Sequence, residues 1–396
     1  MPTREAATRQ ALVQTPAEKW DDGLSMRRAW IAIALALTLA WVGLAQRHAA
    51  PPTGDPDMRP IGALIESYSE PGGYFDTDNL ISNETAYLQV ADRLATLAPG
   101  GGYIGVGPDQ NFSYIARTRP SWAFIVDIRR DNMLQHLLLN ALLERAETPR
   151  DFLCLLLSRG CRPTREAPDG IAEVLRSLRS AAPRADVMAR TLVEAETHIA
   201  GLGVELTGAD REGVADILRS FYRGQLALRF NTHGRAPMPY HPTLQTLLLA
   251  RSPSGRFGSY LDSPDDYAFI RALARDGRLV PLVGDLAGNH TLAALTRFFG
   301  ERDVKVAAVY VSNVEFYLLR DGRFERFVEH VRALPIRPGA VMIRAYFDYG
   351  RRHPQRRPGH RSTTVLQPIS GFLELHEAGA FNSFWDVSTL GILPPG

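Results

Sequence analysis

Apolar residues run almost unbroken through five short stretches of the chain, residues 103–106, 123–128, 279–284, 304–311 and 340–347. Runs of that length bounded by turn signals predict strands buried on both faces, as in a parallel sheet. Between them the spacing changes to three and four. Met133, Leu134, Leu137, Leu138, Ala141 and Leu142 share one helical face, as do Ile171, Val174, Leu175 and Leu178, and later Val214, Ile217, Leu218 and Phe221. Residues 131–278 therefore read as a helical insertion that caps the sheet. Within it, 232–264 is rich in Pro, Gly and Ser and predicts a long loop or lid. Further helices are expected over 111–118, over 323–334, and from a Ser82 cap to about residue 97. Residues 365–375 and 384–387 are expected as closing edge strands. The alternation predicts an α/β fold with helices on both faces of the sheet, its core divided between residues 67–130 and 279–396.

The amino-terminal pattern differs. Residues 29–45 are apolar except for Thr38, with Arg27 and Arg28 before them. A polar tail, 1–25, precedes this segment and a Pro-rich linker, 51–66, follows. Residues 26–50 predict a signal peptide or signal-anchor helix, read from Met1 or Met26, and a membrane-anchored or exported location. The formal net charge of +2 gives no global attraction to nucleic acid. Two cysteines are too few for a metal framework. Cys154 lies in an apolar run, and were its helix to continue to Cys161 the pair would stand about 10 Å apart. Gly160 is a helix stop, so a bridge is open to the chain but is not the expectation.

Chemistry concentrates at the ends of the apolar runs. Tyr103-Ile104-Gly105-Val106-Gly107-Pro108-Asp109-Gln110-Asn111 places glycines after a strand and before a helix amino terminus, where backbone can approach a ligand. Asp127 ends the next strand about 20 residues on, where an acid accepts ribose hydroxyls. Gly284-Asp285-Leu286 and Val311-Ser312-Asn313 end two more strands with polar groups. Plain tight turns and helix caps are the bland alternatives at each place.

In this order the segments resemble the class I S-adenosylmethionine-dependent methyltransferase superfamily, over residues 100–130 and 279–350. Leu334-Pro335-Ile336-Arg337-Pro338-Gly339-Ala340 resembles the helix-to-strand join of the same fold. The resemblance implies a Rossmann-like sheet of methyltransferase type with S-adenosylmethionine as cofactor. It assigns Gly105, Gly107, Asp109, Asn111, Asp127, Asp285, Leu286 and Ser312 to cofactor binding. Asn313, Glu315 and Tyr317 stand where acceptor orientation and proton removal would occur. The chain departs from the pattern in lacking an acid before Gly105 and in carrying Gln110 or Asn111 at the third glycine.

The implied activity is methyl transfer to an unknown small-molecule or protein acceptor. The alternatives are a non-catalytic membrane-associated or exported binding protein on the same scaffold and, less favoured, a dinucleotide-dependent oxidoreductase. Asn79, Asn83 and Glu84, in a segment dense in hydrogen-bonding groups, are further ligand contacts to test. Arg351, Arg352, Arg356 and Arg357 form the strongly basic run, a solvated loop or an anionic-headgroup contact. His136, His198 and His233 lack metal-ligand spacing, and no nucleic-acid motif is present.

Overall fold

Six stretches of chain pair into one sheet: β1 (Gly102–Gly105), β2 (Trp122–Asp127), β3 (Leu279–Val283), β4 (Val306–Ser312), β5 (Ile336–Phe347) and β6 (Ser362–Pro368). Their order is β3-β2-β1-β4-β5-β6, all neighbours parallel except the antiparallel β5–β6 pair. The computed structural model describes residues 60–162, 170–233, 235, 238–348 and 350–395, all within one compact unit. Every residue of β1, β2 and β3 is buried, which is why these strands read as continuous apolar runs rather than alternating ones. From β1 the chain builds outward to β2 and β3, then returns to β4 beside β1 and builds the other way. That reversal leaves a crevice outside the carboxyl ends of β1 and β4.

Helices Gln110–Thr118, Arg130–Arg145 and Pro264–Arg275 pack against strands of this sheet. Among the described residues no strand of the sheet falls between residues 131 and 278. The first and last helices of that segment belong to the sheet's own layer, while Ala185–Gly201 and Gly208–Gly224 pack on Arg130–Arg145. This sandwiching buries Arg130–Arg145 from Asn132 to Leu143, on its polar side too. The expected lid at 232–264 is more ordered than its composition suggests. Thr243 caps a short helix, Leu244–Leu248, and Ser263 caps the helix that begins at Pro264.

Four local expectations are corrected. The helix expected from Ser82 is a 3-10 turn, Tyr87–Val90, leading into Ala91–Leu94, because the Ser82 hydroxyl accepts from the Glu84 N–H inside a tighter turn. Residues 365–375 divide into the end of β6 and the helix Ile369–Glu377. Residues 384–387 are helical, with Ser383 as cap accepting from the Asp386 N–H. Cys154 and Cys161 form a disulfide with Cα atoms 6.0 Å apart. Their helix ends at Leu156 and Ser158 turns the chain back with φ 52°, so the helical spacing that separated them does not apply.

The transmembrane expectation is also corrected. Among the described residues no helix is long and apolar enough to cross a membrane, and residues 29–45, on which that expectation rested, lie outside them.

Candidate functional site

The glycine loop between β1 and helix Gln110–Thr118 is braced from inside. Buried Asn111 accepts from the Tyr103 hydroxyl at 2.8 Å and donates to the carbonyls of Val106 at 2.7 Å and Pro108 at 2.8 Å. A Cβ on residue 105 would lie 1.9 Å from the Asn111 Oδ1, so Gly105 is required by this brace. Gly107 has φ 78°, a left-handed conformation that glycine adopts without strain. Its carbonyl accepts from Nε2 of His136 at 2.8 Å. Burial holds the His136 imidazolium down to a pKa of about 4, so the ring is neutral near pH 7. Asp109 turns inward and accepts from the Tyr260 hydroxyl at 3.2 Å, and burial pushes its pKa up to about 6.

A cavity of about 310 Å³ opens at the carboxyl ends of the central strands. That lies at the lower end of the size range of small-molecule sites. Gly107, Asp127, Asp285, Leu286, Ser312, Asn313 and Tyr317 all line it, brought there by the ends of four parallel strands. The chain before β1 closes the remaining side with Tyr74, Phe75, Thr77, Asn79, Asn83 and Glu84. This stretch is tied to the strand edge by Gly73 N–H to the Ile128 carbonyl at 2.7 Å and by Glu70 N–H to the Val283 carbonyl at 2.8 Å. Gly105, Asp109, Asn111 and Glu315 do not line the cavity; the first three shape the loop from behind.

Glu315 does not stand where acceptor chemistry would occur. It is fully buried and ion-paired through both carboxylate oxygens with Arg344 of β5, whose guanidinium also donates to Gln367 of β6 at 2.5 Å. The pair is enclosed because helix Val314–Arg320 carries Glu315 toward the sheet while Asn313 and Tyr317 stay on the cavity. Burial raises the pKa of Tyr317, and a hydrogen bond with Asn313 opposes the rise.

Sequence reasoning missed the partner of Asp127. Arg129, two residues on, donates its backbone N–H and Nε to Oδ1 at 2.9 and 3.1 Å and Nη2 to Oδ2 at 3.0 Å. A carboxylate offers about four acceptor positions, so roughly one remains, on Oδ2, where the sequence suggested capacity for two ribose hydroxyls. Arg129 also reaches the carbonyls of Thr77 and Asp78, at 3.2 and 2.8 Å, tying the cavity's covering segment to β2. An Asp-x-Arg at the end of an apolar strand is the local signal that could have found it. Asp285 is likewise paired, with Arg323 at 2.7 Å, and accepts the Ala287 N–H at 2.8 Å. The helix cap considered for Asp285 is supplied by Glu70, which accepts the N–H groups of His290 and Thr291 at 2.6 and 2.9 Å.

Glu84 is fully buried at the cavity wall. Tyr310 and Ser312 each donate a hydroxyl to its Oε1 at 2.6 Å, and Gln110 Nε2 donates to Oε2 at 2.9 Å. Burial raises its pKa and those three bonds oppose the rise. Ser312 reaches it from a left-handed backbone, φ 51°, at an irregularity in the β4–β5 register. The basic run lies off the cavity. Arg351 stacks 3.5 Å over the Trp385 ring and Arg356 pairs with Asp348 at 2.5 Å. Among the described residues no cluster of His, Cys, Asp or Glu could hold a metal ion.

A family model described as a domain of unknown function, DUF7790, matches residues 79–195 and 230–382, and the chain belongs to that family. The matched span begins at Asn79 and contains Glu84, the glycine loop, Asp127 and the β3 and β4 ends. It omits 196–229, which holds helix Gly208–Gly224. No curated protein matches the chain.

Proposed function

We propose that the cleft binds an adenosyl ligand, S-adenosylmethionine, on a Rossmann-like, methyltransferase-type sheet, and that the protein transfers its methyl group to an acceptor. The observation that carries this reading is the convergence on one cavity of Gly107, Asp127, Asp285 with Leu286, and Ser312 with Asn313, from four strand ends. The donor set fits such a ligand. Val106, Pro108, Val126, Ile128 and Leu286 offer apolar surface to a flat base, and Asp127 keeps one acceptor position for a ribose hydroxyl. Asn79, Asn83, Ser312 and Asn313 offer polar contacts to an amino-acid end. When bound, S-adenosylmethionine supplies an electrophilic methyl group. The chain's part is to position: Asn313 and Tyr317 orient what enters beside β4, and Phe75, set edge-on to Tyr317 at 5.1 Å, shields that side from water.

A second reading, a ligand-binding or assembly protein without transfer activity, is favoured by one observation: Arg129 occupies most of the Asp127 carboxylate. Calorimetric titration of the full chain with S-adenosylhomocysteine and, separately, NAD tests the proposal. Binding of the first and not the second supports it. Binding of NAD alone replaces it with a dinucleotide enzyme, and binding of neither leaves the second reading.

A further inference from the structure

With all of its acids ionised, the cleft is one positive charge short. Its lining carries four acids, Glu84, Asp127, Asp285 and Asp321, against three arginines, Arg129, Arg320 and Arg323. Each arginine is committed: Arg129 to Asp127 at 3.0 Å, Arg323 to Asp285 at 2.7 Å and Arg320 to Asp321 at 2.8 Å. Glu84 is the acid left over. Tyr310 and Ser312 face it from β4, Gln110 and Tyr114 from the helix after the glycine loop, and Tyr103 from β1, all neutral. Among the described residues no arginine, lysine or histidine pairs with it.

A carboxylate taken fully out of water costs several kcal/mol unless it is paired, and hydrogen bonds from neutral groups recover only part of that. The cluster is also short of donors. Oε1 of Glu84 is filled by two hydroxyls, but Oε2 takes a single bond and keeps one position open. Beside it the buried Oε1 of Gln110 has no hydrogen-bond partner. An acid with no charged partner and an acceptor position to spare, at the wall of the cavity, describes a place for a donor-rich cation.

We propose that Glu84 is the subsite for a positively charged group of the cleft's ligand, an ammonium or a sulfonium. The inference deepens the adenosyl reading, since S-adenosylmethionine brings both groups and a net charge of +1, the complement of the cleft's surplus. Glu84 comes from the segment before β1, outside the glycine loop.

Calorimetric titrations of the full chain and of Glu84→Gln test the subsite, with S-adenosylmethionine, S-adenosylhomocysteine and 5′-methylthioadenosine. The last lacks both the sulfonium and the amino-acid end. If the sulfonium is the cation, wild type prefers S-adenosylmethionine to S-adenosylhomocysteine by about tenfold or more, the value of one charge-assisted contact, and Glu84→Gln loses that preference. If the ammonium is the cation, the variant weakens both amino-acid ligands by a similar factor and leaves 5′-methylthioadenosine unchanged. Equal affinities of variant and wild type for all three overturn the Glu84 assignment while the adenosyl reading stands. If wild type binds none of them, the adenosyl reading falls. Methylammonium then decides: a melting point raised in wild type but not in Glu84→Gln supports the subsite, and no rise overturns it. Should Glu84→Gln not fold, Glu84→Met takes its place, removing the charge together with its demand for donors.

Discussion

Replacing Asp127 by Ala separates the structural role of its carboxylate from the ligand contact proposed for it. The structural role is the buried pair with Arg129, in which three donors of Arg129 lose their acceptor. Breaking a buried pair by removing one partner costs about 3–5 kcal/mol. Arg129 keeps the carbonyls of Thr77 and Asp78, so the lower end, about 3 kcal/mol, applies here. The binding role is the one acceptor position left on Oδ2. A single charge-assisted hydrogen bond is worth about 1.5–3 kcal/mol, roughly a tenfold to hundredfold loss of affinity for S-adenosylhomocysteine. Urea denaturation reads the first quantity and calorimetric titration of the folded variant reads the second. A second variant, Arg129→Met, frees the carboxylate and should cost comparable stability without the same loss of affinity. A stable Asp127→Ala protein would refute the pair as a structural tie. Unchanged affinity in that variant would refute Asp127 as a ligand contact and leave it a purely structural acid.

Three further outcomes follow from the buried groups. Glu315→Ala should lose about 3–5 kcal/mol in urea melts by stranding Arg344, while ligand affinity stays within about twofold; a variant of native stability that no longer binds ligand would return Glu315 to the site. Asp109 and His136 give opposed pH limbs. Asp109, raised to about 6 from an ordinary 3.8, contributes stability that is present below about pH 3.8 and lost as pH rises through 6. His136, lowered to about 4 from 6.5, contributes stability that is present above about pH 6.5 and lost as pH falls toward 4. Asp109→Asn should therefore gain up to about 3 kcal/mol on wild type between pH 4 and pH 7, read by urea midpoints; a constant difference across that range contradicts the burial of an ionised Asp109. Reducing Cys154–Cys161, whose partners are seven residues apart, should cost about 2.5 kcal/mol from loop closure, seen as a lower melting point with reductant and two alkylatable thiols.

The sheet was legible because its strands are buried on both faces, so their apolar runs stand out without any alternation to decode. The site was legible wherever a polar residue directly ends such a run, as with Asp127, Asp285, Ser312 and Asn313. It was illegible where role depends on what lies opposite in space. Glu315 sits two residues from Asn313 in sequence, yet helix geometry turns it into the sheet to meet Arg344. Asn111 and Asp109 belong to the glycine motif but face its inner side. The unpaired state of Glu84 is a fact about long-range partners that no local spacing encodes, whereas Arg129, two residues from Asp127, left a local signal in the Asp-x-Arg spacing. The disulfide was misjudged for a related reason: a left-handed Ser158 folds the chain back on itself, and a serine does not announce that conformation. The edge strand expected at 384–387 failed more simply, since Ser383 and Asp386 are a helix-capping pair that apolar content outweighed.

The proposed function requires one ligand to occupy the crevice at the β1 and β4 ends. Hydrogen–deuterium exchange of the full chain with and without saturating S-adenosylhomocysteine tests it most directly. Exchange should slow in four segments at once, around Asn79–Glu84, Val106–Asp109, Asp127–Arg129 and Ser312–Tyr317, with the 185–224 helices unchanged. Protection confined to other segments, or no change at millimolar ligand, would contradict it.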